Sequence, residues 1–216
     1  MKGSKGLYLA ILGRVFDVSK GRKHYGPGGG YHFFTGRDAS RAFVTGNFKP
    51  DGLTDDVSKL TPQDILGLEE WIQFYEKDYK YVGKVSGRFY TKDGKPTKAW
   101  LNYEADLKHA KKMKSKEEAD SARFPPCNSE WKQDVGGRVW CSKMSGGISR
   151  DWVGVPRMYH QPGKNNARCA CVRNTGPPSD AKPNSAHSNR GDLDNPNMKE
   201  YANCRVDSES CPIADN

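Results

Sequence analysis

The chain has no apolar run approaching the roughly 20 residues that a bilayer-spanning helix requires, so no membrane span is expected. It holds no G-x-x-x-x-G-K-[ST] loop and no G-x-G-x-x-G opening a helix after a strand, which argues against the common nucleotide-binding folds. No Ser/His/Asp or Cys/His set stands in a motif context, so a hydrolase is not expected. Hydrophobic residues make up only 35% of the 216, and a globular chain counted with glycine averages roughly 45–50%. A core is affordable, but a modest one. Disorder throughout is equally excluded, because aromatics reach 11% and recur in periodic segments. Gly (23) and Pro (13) are both plentiful and predict many turns.

A net charge of +9 raises the question of nucleic acid. The excess is spread along the chain, with one concentration at Lys108, Lys111, Lys112, Lys114 and Lys116. Asp106, Glu117, Glu118 and Asp120 flank that run, so it reads as the mixed-charge face of a helix and no nucleic-acid partner is expected. All six cysteines fall after residue 126, at 127, 141, 169, 171, 204 and 211, in a weakly apolar, turn-rich region. Covalent stapling of a segment short of core is the favoured reading, and it implies an oxidising compartment. Zinc is the rival, but Cys169 and Cys171 lack the paired C-x2-C spacing of zinc ribbons. Six cysteines allow 15 pairings, and spacing alone does not choose among them.

Residues 7–18 read as a β-hairpin with a glycine turn, since six apolar residues are too few for a leader's core. Asp38 caps a short helix through Phe43. Thr61-Pro62 opens a longer one whose Ile65, Leu68, Ile72 and Tyr75 share a face. Residues 79–85 return as a strand. Thr97 starts a second long helix ending near residue 120, and three tryptophans (131, 140 and 152) offer burial in the tail. Asn174 to Asn197 is polar and predicts a long loop. The organisation expected is residues 1–88 as one domain, 89–124 as linker and helix, and 125–216 as a cysteine-rich extension.

The segment His24-Tyr25-Gly26-Pro27-Gly28-Gly29-Gly30-Tyr31 carries the chemistry. Glycines beside aromatics let a backbone approach a flat ligand while rings pack on it or ligate it. The run Val15-Phe16-Asp17-Val18, then Tyr25-Gly26-Pro27 and Tyr31, then Gly36-Arg37-Asp38-Ala39-Ser40-Arg41, closely resembles the membrane-associated progesterone receptor family, a branch of the cytochrome-b5-like haem-binding fold. The likeness covers about residues 7–88 and implies an α+β, cytochrome-b5-like domain, incomplete at its N-terminal end because family domains begin with a strand and short helix before this point. Tail motifs such as Pro125-Pro126-Cys127, Arg150-Asp151-Trp152 and Cys169-Ala170-Cys171 point to one branch of that family.

The resemblance implies haem b as cofactor, with Tyr31 as the ligand of its iron. Ferric iron is a hard cation that stabilises phenolate, and an anionic oxygen ligand favours Fe(III) and lowers the potential. Tyr25 and Tyr79 match further haem-side tyrosines. Asp78 stands where the family often has lysine, so Lys77 or Lys80 would face a propionate instead. His32 is the rival ligand; in a strand it would point away from the face of Tyr31. By resemblance the protein is a secreted, non-enzymatic signal that promotes neuronal differentiation, with haem and an unidentified receptor as partners and a homodimer through stacked haem faces as its assembly. The alternatives are an electron-transfer partner of a redox or sterol enzyme, and a disulfide-stapled receptor ligand independent of haem.

Overall fold

The computed structural model describes residues 6–133 and 135–213, in two compact units, residues 1–114 and 115–216. The first begins with the expected hairpin. Strand β1 (Tyr8–Ile11) pairs antiparallel with β2 (Arg14–Asp17), and β3 (Lys80–Lys84) adds to the other edge of β2. Leu12 and Gly13 turn between β1 and β2, both at positive φ (51° and 71°), as a two-residue hairpin turn requires. Leu12 accepts that conformation because its side chain is fully buried and its amide donates to Ser40 Oγ (2.7 Å).

Four helices cross or flank this sheet's sequence: α1 (Arg22–Tyr25), α2 (Ser40–Thr45), α3 (Pro62–Asp78) and α4 (Lys98–Arg123), the last running across the boundary of the two units. Helix α3 starts as its sequence predicts. Thr61 Oγ1 accepts from the Asp64 amide, and Asp64 Oδ2 accepts from the Thr61 amide (3.0 Å), a reciprocal capping box ahead of Pro62. Its stripe of Ile65, Leu68, Ile72 and Tyr75, with Leu66, is buried against Leu9, Phe16 and Val18 in the core of the unit.

Ala39 holds the N-cap position of α2, and the Asp38 carboxylate beside it accepts from the Ser40 amide at the helix start (3.1 Å) as well as from Ser40 Oγ (2.5 Å) and the Gly13 amide (2.6 Å). It thereby ties the hairpin turn to the start of α2, and burial pushes its carboxyl pKa up.

The second unit holds two three-stranded antiparallel sheets. Strands β4 (Asn128–Lys132), β5 (Gly136–Trp140) and β9 (Ser210–Ile213) form one, in that order; β7 (Arg168–Val172), β6 (Val155–Tyr159) and β8 (Met198–Lys199) form the other. Its buried cluster is small: Phe124, Tyr159, Ala170 and Val172. Trp131 buries little, standing 62% exposed on β4. Three disulfides, Cys127–Cys169, Cys141–Cys171 and Cys204–Cys211, join the cysteines. The connection from β7 to β8 is irregular backbone, anchored where Asp192 accepts from the Ser179 amide (2.9 Å) and pairs with Arg123. Among the described residues no helix is long and apolar enough to cross a membrane.

Candidate functional site

The glycine-rich segment is folded more tightly than its composition suggests. Helix α1 ends at Tyr25, and a single 3-10 turn follows at His32–Phe34. Between them the Gly29 amide donates to the Gly26 carbonyl (2.9 Å) and the Tyr31 amide donates back to the His24 carbonyl (2.9 Å). This closed loop fixes where Tyr31 leaves the backbone.

Gly29 is indispensable to it. A Cβ there would lie 2.2 Å from the His24 carbonyl oxygen, the same atom that accepts from Tyr31, whereas a Cβ on Gly30 would meet nothing within 4 Å. Gly29→Ala is therefore expected to lose about 1–3 kcal/mol of stability by overpacking. Gly30→Ala should stay within about 0.5 kcal/mol of the parent. Urea unfolding of both variants tests this, and equal losses would refute the role of the loop.

Loop and helices enclose an aromatic pocket of about 650 Å³, within the range of ligand sites. Phe34 and Phe43 stack at 4.1 Å on one wall. Trp71 and Phe74, both exposed on α3, form another. Tyr25 and Tyr75 lie at the buried base, their hydroxyls 2.7 Å apart. Tyr31 stands at the rim, 50% exposed, its ring 6.1 Å from that of Tyr25. Among the described residues no hydrogen bond engages its hydroxyl. Tyr79 completes the cluster, 5.8 Å from Tyr25 and 5.3 Å from Tyr75 between ring centroids.

The expected trio of Tyr25, Tyr31 and Tyr79 is thus brought together, and Tyr75 joins it. Tyr75 reads in sequence as one more member of an apolar stripe. Its signal was the hydroxyl, since a buried tyrosine must find a partner. His32 lies in the 3-10 turn rather than a strand, so alternation of side chains does not decide its direction. A hydrogen bond does: its Nδ1–H donates to the Tyr25 carbonyl (2.8 Å), which also accepts from Thr35 Oγ1.

Burial pushes the Tyr25 phenol up to about 12, and burial with the Tyr25 hydrogen bond pushes Tyr75 higher still. Both are neutral phenols at physiological pH. A phenol whose folded pKa is raised contributes stability fully below the ordinary value of 10 and loses it as pH rises toward the folded value. Alkaline titration is expected to show Tyr25 and Tyr75, together with Tyr90, Tyr103 and Tyr159, whose phenols burial also raises, ionising only as the fold collapses above pH 10. Phenolate absorbance followed beside circular dichroism tests it; complete ionisation with the fold intact contradicts it.

Beside Tyr79 lies a polar recess of about 380 Å³ that includes Lys20, Lys77 and Lys80 as well as Asp78. Lys20 sets its ammonium 4.8 Å from the centre of the Tyr79 ring. Nothing local in the sequence marked Lys20, because only the pairing of β2 with β3 brings it to that tyrosine. The donor set therefore suits a flat, apolar ring system bearing carboxylates: aromatic walls, one uncommitted phenol at the rim, and cations at one end.

Comparisons with known proteins give the family of the chain. Residues 1–86 match a family described as the Cytochrome b5-like Heme/Steroid binding domain. The chain is 53% identical over 209 residues to neuferricin of Mus musculus, covering 97% of this chain and 80% of that one. It is 55% identical over 213 residues to neuferricin of Danio rerio, covering 99% and 75%. A solved Arabidopsis thaliana protein with a cytochrome b5 like fold is 40% identical, covering 40% of this chain and 79% of that one at a TM-score of 0.37.

Proposed function

The chain belongs to the neuferricin family, whose first part is a cytochrome-b5-like domain, and on that basis we propose that it is a non-enzymatic haem-binding protein whose haem b iron is held by the Tyr31 phenolate. The observation that carries this reading is the Tyr31 hydroxyl, uncommitted at the rim of an aromatic pocket. Tyr25 and Tyr75 remain neutral and share one hydrogen bond at the pocket base. Phe34, Phe43, Trp71 and Phe74 would pack on the macrocycle, and Lys20, Lys77 and Lys80 would balance its propionates. Haem bound this way supplies a ferric centre of low potential, because its axial ligand is an anionic oxygen.

That chemistry suits a stable haem-loaded state better than one-electron shuttling. Three disulfides support action in an oxidising compartment, and the proposed role is extracellular signalling that promotes neuronal differentiation. Ferric haem titrated into the full chain and followed by absorbance tests the binding. Saturation at one haem per chain is expected, and the absence of saturable binding would overturn the proposal.

A further inference from the structure

Cys169 and Cys171 are two residues apart on β7, so the pleat sends both side chains to one face. Cys127 precedes β4 and Cys141 follows β5, and because Asn128 pairs with Trp140 these cysteines stand at the next step of the same ladder. The disulfides run across, Cys127 to Cys169 and Cys141 to Cys171. The result is three clustered sulfur atoms with a fourth bonded to one of them. The Sγ atoms of Cys127, Cys141 and Cys171 all lie within 4.8 Å of one another, and the fourth sulfur is bonded to Cys127.

A zinc ion at about 2.3 Å from each of four thiolates in a tetrahedron needs sulfurs about 3.8 Å apart. The bonded pairs would have to separate to reach that spacing, and the Cys169 sulfur, released from Cys127, would have to turn toward the other three. Backbone hydrogen bonds add to the sulfur bonds in holding the strands that carry them, and the metal would take over the covalent contribution on reduction. Strands β4 and β5 pair with each other, β6 pairs with β7, the Cys171 amide donates to the Pro125 carbonyl (2.7 Å), and the Cys141 amide donates to the Glu209 carbonyl (2.9 Å). Cys141 and Cys171 are buried, while Cys127 and Cys169 are half-buried and give a reductant its entry.

We propose that Cys127, Cys141, Cys169 and Cys171 are a two-state centre: a pair of disulfides when oxidised, and a four-thiolate site for Zn²⁺ when reduced. Each disulfide accepts two electrons and two protons from a small-molecule dithiol, which becomes its own disulfide. The four thiols then release four protons as they take up the cation, leaving a centre of charge −2. The C-x2-C spacing of zinc ribbons is unnecessary here, because strand pairing rather than a tight turn brings the ligands together. Cys204–Cys211 is not part of the cluster.

The test uses the full chain, reduced with a phosphine under anaerobic conditions and titrated with Co²⁺ and then Zn²⁺. One Co²⁺ per chain is expected, with sulfur-to-cobalt charge-transfer absorption and the intense visible bands of a tetrahedral site, displaced by one Zn²⁺. The chain with both Cys204→Ser and Cys211→Ser should behave identically. The chain with both Cys141→Ser and Cys171→Ser should bind more than about 100-fold more weakly, beyond what loss of an outer hydrogen-bond partner costs. Near-ultraviolet circular dichroism should be restored by zinc after reduction. The proposal is overturned by a reduced chain that binds no metal or stays unfolded with it, by a weak octahedral cobalt spectrum, or by equal binding in the oxidised chain.

Discussion

Tyr31→Phe is expected to leave the protein folded and to abolish the iron–phenolate absorption of its ferric haem complex, with haem held about 100-fold more weakly, a loss of about 2.8 kcal/mol. The fold should survive because the residue is half exposed and its hydroxyl has no partner among the described residues to orphan. Its ring contacts with Tyr25 and Phe33 remain available to phenylalanine, so stability should move by no more than about 0.5 kcal/mol. Two controls separate ligation from packing. Tyr25→Phe strands the buried Tyr75 hydroxyl and should cost about 1–3 kcal/mol of stability while the absorption band persists. His32→Ala removes the rival nitrogen and should leave the band where it was. A band retained in Tyr31→Phe, or lost in His32→Ala, would assign the iron to another residue.

These residues differ in how far the sequence disclosed them, and the difference is physical. Helix α3 was legible because both of its signals are local: a Thr-Pro start and an apolar repeat of three and four. The β1–β2 hairpin was legible for the same reason, its register following from a two-residue turn. Tyr31 and Tyr25 came from the resemblance of a contiguous glycine and aromatic motif to a known family. Tyr75 and Lys20 did not, since their importance arises from contacts 50 or more residues away in the chain, Tyr75 with Tyr25 and Lys20 with Tyr79. Asp38 was legible in part, since its bond to the Ser40 amide at the start of α2 is local. Only the fold shows the amide of Gly13 competing for it. Disulfide pairing was illegible on principle, for it depends on which strands stack rather than on where the cysteines fall.

That pairing leads to a large stability effect expected in the second unit. Removing the Cys141–Cys171 bond as the double alanine variant should cost about 4 kcal/mol. Its sequence separation of 30 gives nearly that much from loop closure alone, and truncation of two buried side chains adds a packing loss. The Cys204–Cys211 bond closes only 7 residues and should be worth about 2 kcal/mol. Its half-buried Cys204 also leaves a smaller void. Urea unfolding followed by circular dichroism would rank the two, and equal losses would remove the argument. The ranking matters because the buried apolar side chains described for this unit, the cysteines and prolines apart, are few: Phe124, Val139, Val155, Tyr159, Ala170 and Val172. A core that small cannot offset the conformational entropy of some hundred residues without covalent help. The second unit should consequently unfold at lower urea in reducing buffer. The first unit, whose described residues contain no cysteine, should not respond to the reductant. Haem affinity, if Tyr31 and its pocket carry it, should then survive reduction while the cysteine-rich unit melts.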